Sequence, residues 1–120
     1  MEATIKPVQW VGSSLRDLRD FPRPVQREIG QALYTAQTGR TDPAAKPMRG
    51  FGGVSVMEIV ADFDGDTWRA VYTVRFADVL YMLHAFQKKS KKGIGTPQRE
   101  LEMIRRRLAE AERDYRGRTK

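Results

Sequence analysis

The dipeptide Asp64-Gly65 separates two runs of strand-forming residues, and that spacing commits the middle of the chain to a tight antiparallel hairpin. A two-residue hairpin turn needs positive φ at both central positions, which Asp-Gly accepts. Before the turn, Val54, Val56 and Glu58 alternate with Met57 and Ile59. After it, Thr67 to Arg75 is rich in the β-branched and aromatic residues that strands favour. Asp78 turns the chain again, and Val79 to Phe86 reads as a third strand of the same antiparallel meander.

Helical periodicity flanks this meander. Ser13 or Ser14 can cap a short helix carrying Leu15 and Leu18. Pro22 and Pro24 stand where a second helix begins, a position proline tolerates. Val25, Ile29, Leu33 and Ala36 then form one apolar face that Gly39 ends. Ile5, Val8 and Trp10 read as a short strand interrupted by Pro7, and so as a sheet edge. Thr41 to Gly53 reads as a Pro- and Gly-rich loop. Thr96-Pro97 opens a last helix, with Leu101, Ile104, Leu108, Ala111 and Tyr115 on one stripe and Arg105, Arg106 and Arg107 mostly on its flanks. The expected fold is α+β, in the order βααβββα, an antiparallel sheet with helices packed on one face. Residues 1–120 are expected to form a single domain, with a frayed tail over 116–120.

Composition narrows the function classes. At 120 residues with 40% hydrophobic, the chain holds one core, and two domains would each be marginal. It contains no cysteine, and Met1 to Pro7 lacks the apolar run of a signal peptide, so a cytoplasmic location is expected. No apolar run has the length of a membrane span. Twenty-two Lys and Arg against fifteen Asp and Glu give a net charge of +7, which suggests an anionic partner (nucleic acid, anionic lipid or an acidic protein) beside the plain reading of a basic soluble protein. The excess is uneven: between Asp78 and Glu100 there is no acidic residue, while Lys88, Lys89, Lys91, Lys92 and Arg99 fall in that stretch.

Strand alternation sorts the candidate residues. Arg69, Val71, Thr73 and Arg75 share one face of their strand. In the next strand Met82, His84, Phe86 and Lys88 face one way and Tyr81, Leu83 and Ala85 the other. An open face holding Arg69, His84 and the lysines at the strand exit would join cations to aromatic rings, the mixture that suits RNA. The relative parity of the two strands is not fixed by the sequence, and a bulge would turn His84 to the other face. Arg69 is also placed for a salt bridge to Glu58 on the neighbouring strand, and His84 for a structural hydrogen bond. A lone histidine without cysteine or a carboxylate cluster gives no metal site, and no cofactor motif is present; Gly50-Phe51-Gly52-Gly53 lacks the lysine and helix of a phosphate-binding loop.

Lys46-Pro47-Met48-Arg49-Gly50, Val56-Met57-Glu58-Ile59 and Trp68-Arg69-Ala70-Val71-Tyr72 together resemble the RelE/ParE toxin superfamily. Leu83-His84-Ala85-Phe86-Gln87-Lys88-Lys89-Ser90 followed by Thr96-Pro97 resembles its phage-derived, HigB-like branch, and the likeness spans residues 5–112. The resemblance implies the toxin of a type II toxin–antitoxin pair, a metal-independent endoribonuclease that cuts mRNA on the ribosome. Its partners would be mRNA, the ribosome and a cognate antitoxin, commonly a helix-turn-helix protein through which DNA is bound indirectly. Arg69 matches the arginine of the superfamily's RxxY strand and is the first choice for phosphate stabilisation. Lys46 and His84 complete the expected catalytic set. Arg49, Phe86, Lys88, Lys89, Lys91 and Lys92 are the expected RNA and ribosome contacts. Two other readings stay open: a ParE-type inhibitor of DNA gyrase without enzymatic activity, and an inactive basic RNA-binding protein of phage origin.

Overall fold

The computed structural model describes residues 4–53, 55–88 and 95–118. In chain order the elements are β1 (Val8–Trp10), α1 (Ser14–Arg19), α2 (Arg23–Gln37), β2 (Ala45–Pro47), β3 (Val56–Phe63), β4 (Asp66–Thr73), β5 (Leu80–Lys88) and α3 (Gln98–Arg118). The strands form one five-stranded sheet in the order β1-β5-β4-β3-β2. The hairpin forms where expected: Asp64 and Gly65 have φ of 54° and 83°, and Phe63 pairs with Asp66 across the turn.

Three features depart from the expected fold. The sheet is mixed, because β1 runs parallel to β5, with Val8 opposite Leu80 and Trp10 opposite Met82. The segment expected to be a loop contains an edge strand, β2, paired antiparallel to β3. Pro47 in that strand is compatible with an edge, where no further neighbour needs its missing N–H. Finally, helices cover both faces. α1 and α2 pack on one face through Leu18, Val25, Ile29 and Leu33, over Ile59, Ala70, Tyr72 and Met82. α3 lies on the other, where Ile104 and Ala111 meet Val71, Tyr81, Leu83 and Phe86. β5 is buried from Leu80 to Phe86 without alternation, the burial expected of a strand covered on both faces.

The two helical layers are held differently. α2 buries three large aliphatic residues, Val25, Ile29 and Leu33, whereas α3 buries Ile104, Ala111 and an arginine, Arg107. At roughly 1.5–3 kcal/mol for each fully buried large aliphatic side chain, α3 has far less apolar driving force. Polar ties supplement it. Tyr81 Oη donates to Asp114 Oδ2 at 2.5 Å, Tyr115 Oη to Asp78 Oδ1 at 2.8 Å, and Arg118 Nη2 to Gln9 Oε1 at 2.7 Å. Phe76 stacks on Tyr115 with ring centroids 4.4 Å apart.

A bulge in β5 decides the site. Val71 is opposite His84 and Tyr72 opposite Met82, so Leu83 is the extra residue. Met82 therefore turns to the α2 side, while His84 and Phe86 stay on the α3 side with Arg69. The expected grouping of Met82 with His84 and Phe86 is broken at this point.

Candidate nucleic-acid interface and active site

Sheet register places four charged residues on the α3 face. Lys46 on β2 is opposite Glu58 on β3, Val60 is opposite Arg69 on β4, and Thr67 is opposite Lys88 on β5. Side chains directly opposite one another share a face, so Lys46, Glu58, Arg69 and Lys88 all project toward the α3 side. α3 crosses the β5 side of this face and leaves the β2–β4 end open. The result is a cleft of about 580 Å³ lined by Lys46, Pro47, Met48, Arg49, Glu58, Arg69, Lys88, Gly95, Thr96 and Leu101. Among these described lining residues there are four cations and one carboxylate.

Glu58 is buried at the cleft floor, and Arg69 Nη1 donates to its Oε2 at 2.8 Å. Lys46 Nζ stands 3.9 Å from Oε1. The Arg69 side chain is 14% exposed and its Nε is buried without a hydrogen-bond partner. A buried guanidinium N–H left unpaired is costly, and an anionic oxygen is the partner that would satisfy it. Lys46 is 63% exposed at the mouth. Above it, Arg105 lies over the Phe51 ring, 5.5 Å from its centroid, so a cation and an aromatic surface flank the basic loop.

His84 is placed elsewhere. It is 7% exposed, lies outside the cleft lining, and has both ring nitrogens engaged. Arg107 Nη1 is 3.2 Å from Nδ1 and Glu100 Oε1 is 3.2 Å from Nε2. Arginine carries only donors, so Nδ1 accepts, and the proton of the neutral ring sits on Nε2 and is donated to Glu100. Burial holds the His84 pKa below its ordinary value; the Glu100 hydrogen bond opposes this and the Arg107 charge adds to it. Phe86 is buried as well, stacked on His84 with centroids 5.0 Å apart, which leaves little of its ring for a base. Arg49 and Lys88 line the cleft. Lys89, Lys91 and Lys92 lie outside the described residues.

Two residues were not singled out for the site from sequence. The sequence pattern offers Glu58 only as a partner for Arg69. The sequence pattern puts Arg107 mostly on a helix flank, yet it is 7% exposed and donates to Leu83 O, His84 Nδ1 and Ser13 Oγ at 3.0, 3.2 and 3.0 Å. Its spacing is the signal: it lies three residues after Ile104 and four before Ala111, on the buried stripe itself. Gly12 makes room for it. A Cβ at Gly12 would lie 3.0 Å from Arg107 Nε, and the backbone there has φ +55°.

Residues 16–109 match the family model described as phage derived protein Gp49-like (DUF891). The chain belongs to the phage-derived Gp49-like family. This family is a RelE-like, toxin-like group, and the matched span runs from α1 through the cleft into α3. No curated protein matches the chain. No helix among the described residues is long and apolar enough to cross a membrane.

Proposed function

We propose that this Gp49-like chain is the toxin of a type II toxin–antitoxin pair and a metal-independent endoribonuclease that cuts mRNA on the ribosome. The observation that carries the reading is the cleft in which Arg69, held against Glu58, is ringed by Lys46, Arg49 and Lys88. Membership of a toxin-like family supports it. A phosphodiester strand fits such a surface, since arginine presents a planar fork of donors that stays charged.

The chemistry follows from the groups available. The 2′-oxygen attacks the adjacent phosphorus, the bond to the 5′-oxygen breaks, and the products are a 2′,3′-cyclic phosphate and a 5′-hydroxyl. Glu58, the carboxylate of the described lining, takes the 2′-hydroxyl proton. Arg69 holds the non-bridging oxygens as charge builds on the phosphorane. The Lys46 ammonium beside Glu58 donates a proton to the departing oxygen. Arg49 and Lys88 hold the strand on either side, and the lysines at 89, 91 and 92 extend the same charge along the sequence. An antitoxin segment laid over this cationic cleft would block it, and a helix-turn-helix antitoxin would bring the pair to DNA.

The test is induction in growing cells with growth, translation and mRNA 5′ ends followed together. Rapid appearance of new mRNA 5′ ends within reading frames, together with growth arrest, is expected. Arrest with intact mRNA and a DNA-damage response would replace this reading with gyrase inhibition. Harmless expression would leave only a basic binding protein.

A further inference from the structure

The one histidine of the chain lies outside the cleft lining and faces α3. Glu100 lies in the first turn of α3, and its bond to His84 is the side-chain hydrogen bond that joins that turn to the sheet among the described residues, beside the apolar packing of Leu101. The same stretch, Gly95, Thr96 and Leu101, forms one wall of the cleft. Behind His84 stands Arg107, which fixes the ring through Nδ1 while gripping the bulge carbonyl of Leu83 and the hydroxyl of Ser13. The order of contact is Ser13 and Leu83 to Arg107, Arg107 to His84, His84 to Glu100, and from Glu100 along one turn of helix to the wall.

We propose that His84 is a positioning residue for the cleft, fixing through Glu100 the first turn of α3 and with it the Thr96–Leu101 wall against which RNA lies. The proposal rests on the cleft being the RNA site. It assigns His84 no contact with the reacting atoms. Phe86, stacked on the ring, and Arg107, bonded to it, hold the imidazole in one orientation, so the Nε2–H points to Glu100 as a fixed donor. Glutamine at this position can keep an N–H near Nε2, whereas alanine cannot.

The experiment compares His84→Ala, Glu100→Ala and His84→Gln with the wild-type chain. Three quantities are read: the backbone amide signals of Thr96 and Leu101, the affinity for an RNA carrying a 2′-deoxy residue at the scissile position, and kcat against KM on programmed ribosomes. His84→Ala and Glu100→Ala should shift the Thr96 and Leu101 signals alike and weaken binding of the uncleavable RNA several-fold. The loss should fall mainly in KM, and His84→Gln should recover most of it. If His84 transferred a proton, His84→Gln would lose kcat by about 10²–10⁴-fold with RNA affinity unchanged, and the proposal would be overturned. It is overturned equally if Glu100→Ala leaves the Thr96 and Leu101 signals in place. Glu100 is partly exposed, so its variant carries the test even if His84→Ala does not fold. A wild-type chain that neither binds nor cuts RNA would defeat the proposed function, while the amide signals would still report on the tie itself.

Discussion

Arg69 and Glu58 sit diagonally across the β3–β4 pair, joined by a 2.8 Å hydrogen bond at the floor of the cationic cleft. Each answers a need of the other: Glu58 is buried and Arg69 is nearly so, and breaking a buried ion pair by removing one partner costs about 3–5 kcal/mol. Arg69→Ala is therefore expected to lose both stability and cleavage. The informative change is Glu58→Gln, which keeps an acceptor for Arg69 and removes the proton acceptor. Glutamine keeps a hydrogen-bond acceptor but not the counter-charge, so the variant should have a urea midpoint below that of the wild type yet above that of Glu58→Ala, and, still folded, lose cleavage by at least about 10²-fold. Full activity in Glu58→Gln would remove Glu58 from the chemistry.

Arg107 should prove a stability residue. Arg107→Ala leaves the bulge carbonyl of Leu83 and the hydroxyl of Ser13 without this donor and opens a cavity under α3. The expected loss is about 3 kcal/mol in urea unfolding. A change below about 1 kcal/mol would mean that water replaces the guanidinium at little cost.

Gly12 is the counterpart of that arginine. Gly12→Ala puts a Cβ at φ +55°, within 3.0 Å of Arg107 Nε. Left-handed backbone alone costs a residue with a side chain about 1–2 kcal/mol, and the contact adds to it. The check is a thermal midpoint for Gly12→Ala beside that for Gly39→Ala, where φ is +87° and no atom lies within 4 Å of the new Cβ. The larger drop should be at position 12.

Stability should fall in mild acid. The His84 pKa is held below its ordinary value by burial, so between the folded and unfolded values the unfolded chain binds the extra proton. His84 thus contributes its full stability above about pH 6.5 and loses it as pH falls toward the lower folded value. Glu100, Arg107 and Asp17 set the local field. Unfolding measured from pH 8 to pH 5 should show a steeper decline for the wild type than for His84→Gln. Equal slopes would place the pH dependence on other groups.

Much of the fold was legible because it rests on local rules. Asp64-Gly65 forms its hairpin, Val25, Ile29, Leu33 and Ala36 give one helical face, and Pro22 and Pro24 sit at the start of α2. What escaped was tertiary. β2 hides in a loop-like run because Ala45-Lys46-Pro47 has no strand propensity of its own and is held by β3. The parallel pairing of β1 with β5 joins segments about seventy residues apart, which no local pattern encodes. The second helical layer was written in the unbroken burial of β5, a run that alternation cannot divide. In the site, Arg69, Lys46, Arg49 and Lys88 come together at one cleft, whereas the Leu83 bulge and the buried Arg107 decide what His84 and Phe86 do.

The central claim is RNA cleavage in this cleft. Purified chain is added to ribosomes stalled on a defined mRNA, and 5′ ends are mapped by primer extension. Cleavage within the ribosome-bound codon is predicted, leaving a 5′-hydroxyl, absent without ribosomes and abolished by Arg69→Ala. An mRNA left intact on ribosomes by the folded wild-type chain, or cut equally well by Arg69→Ala, would contradict it.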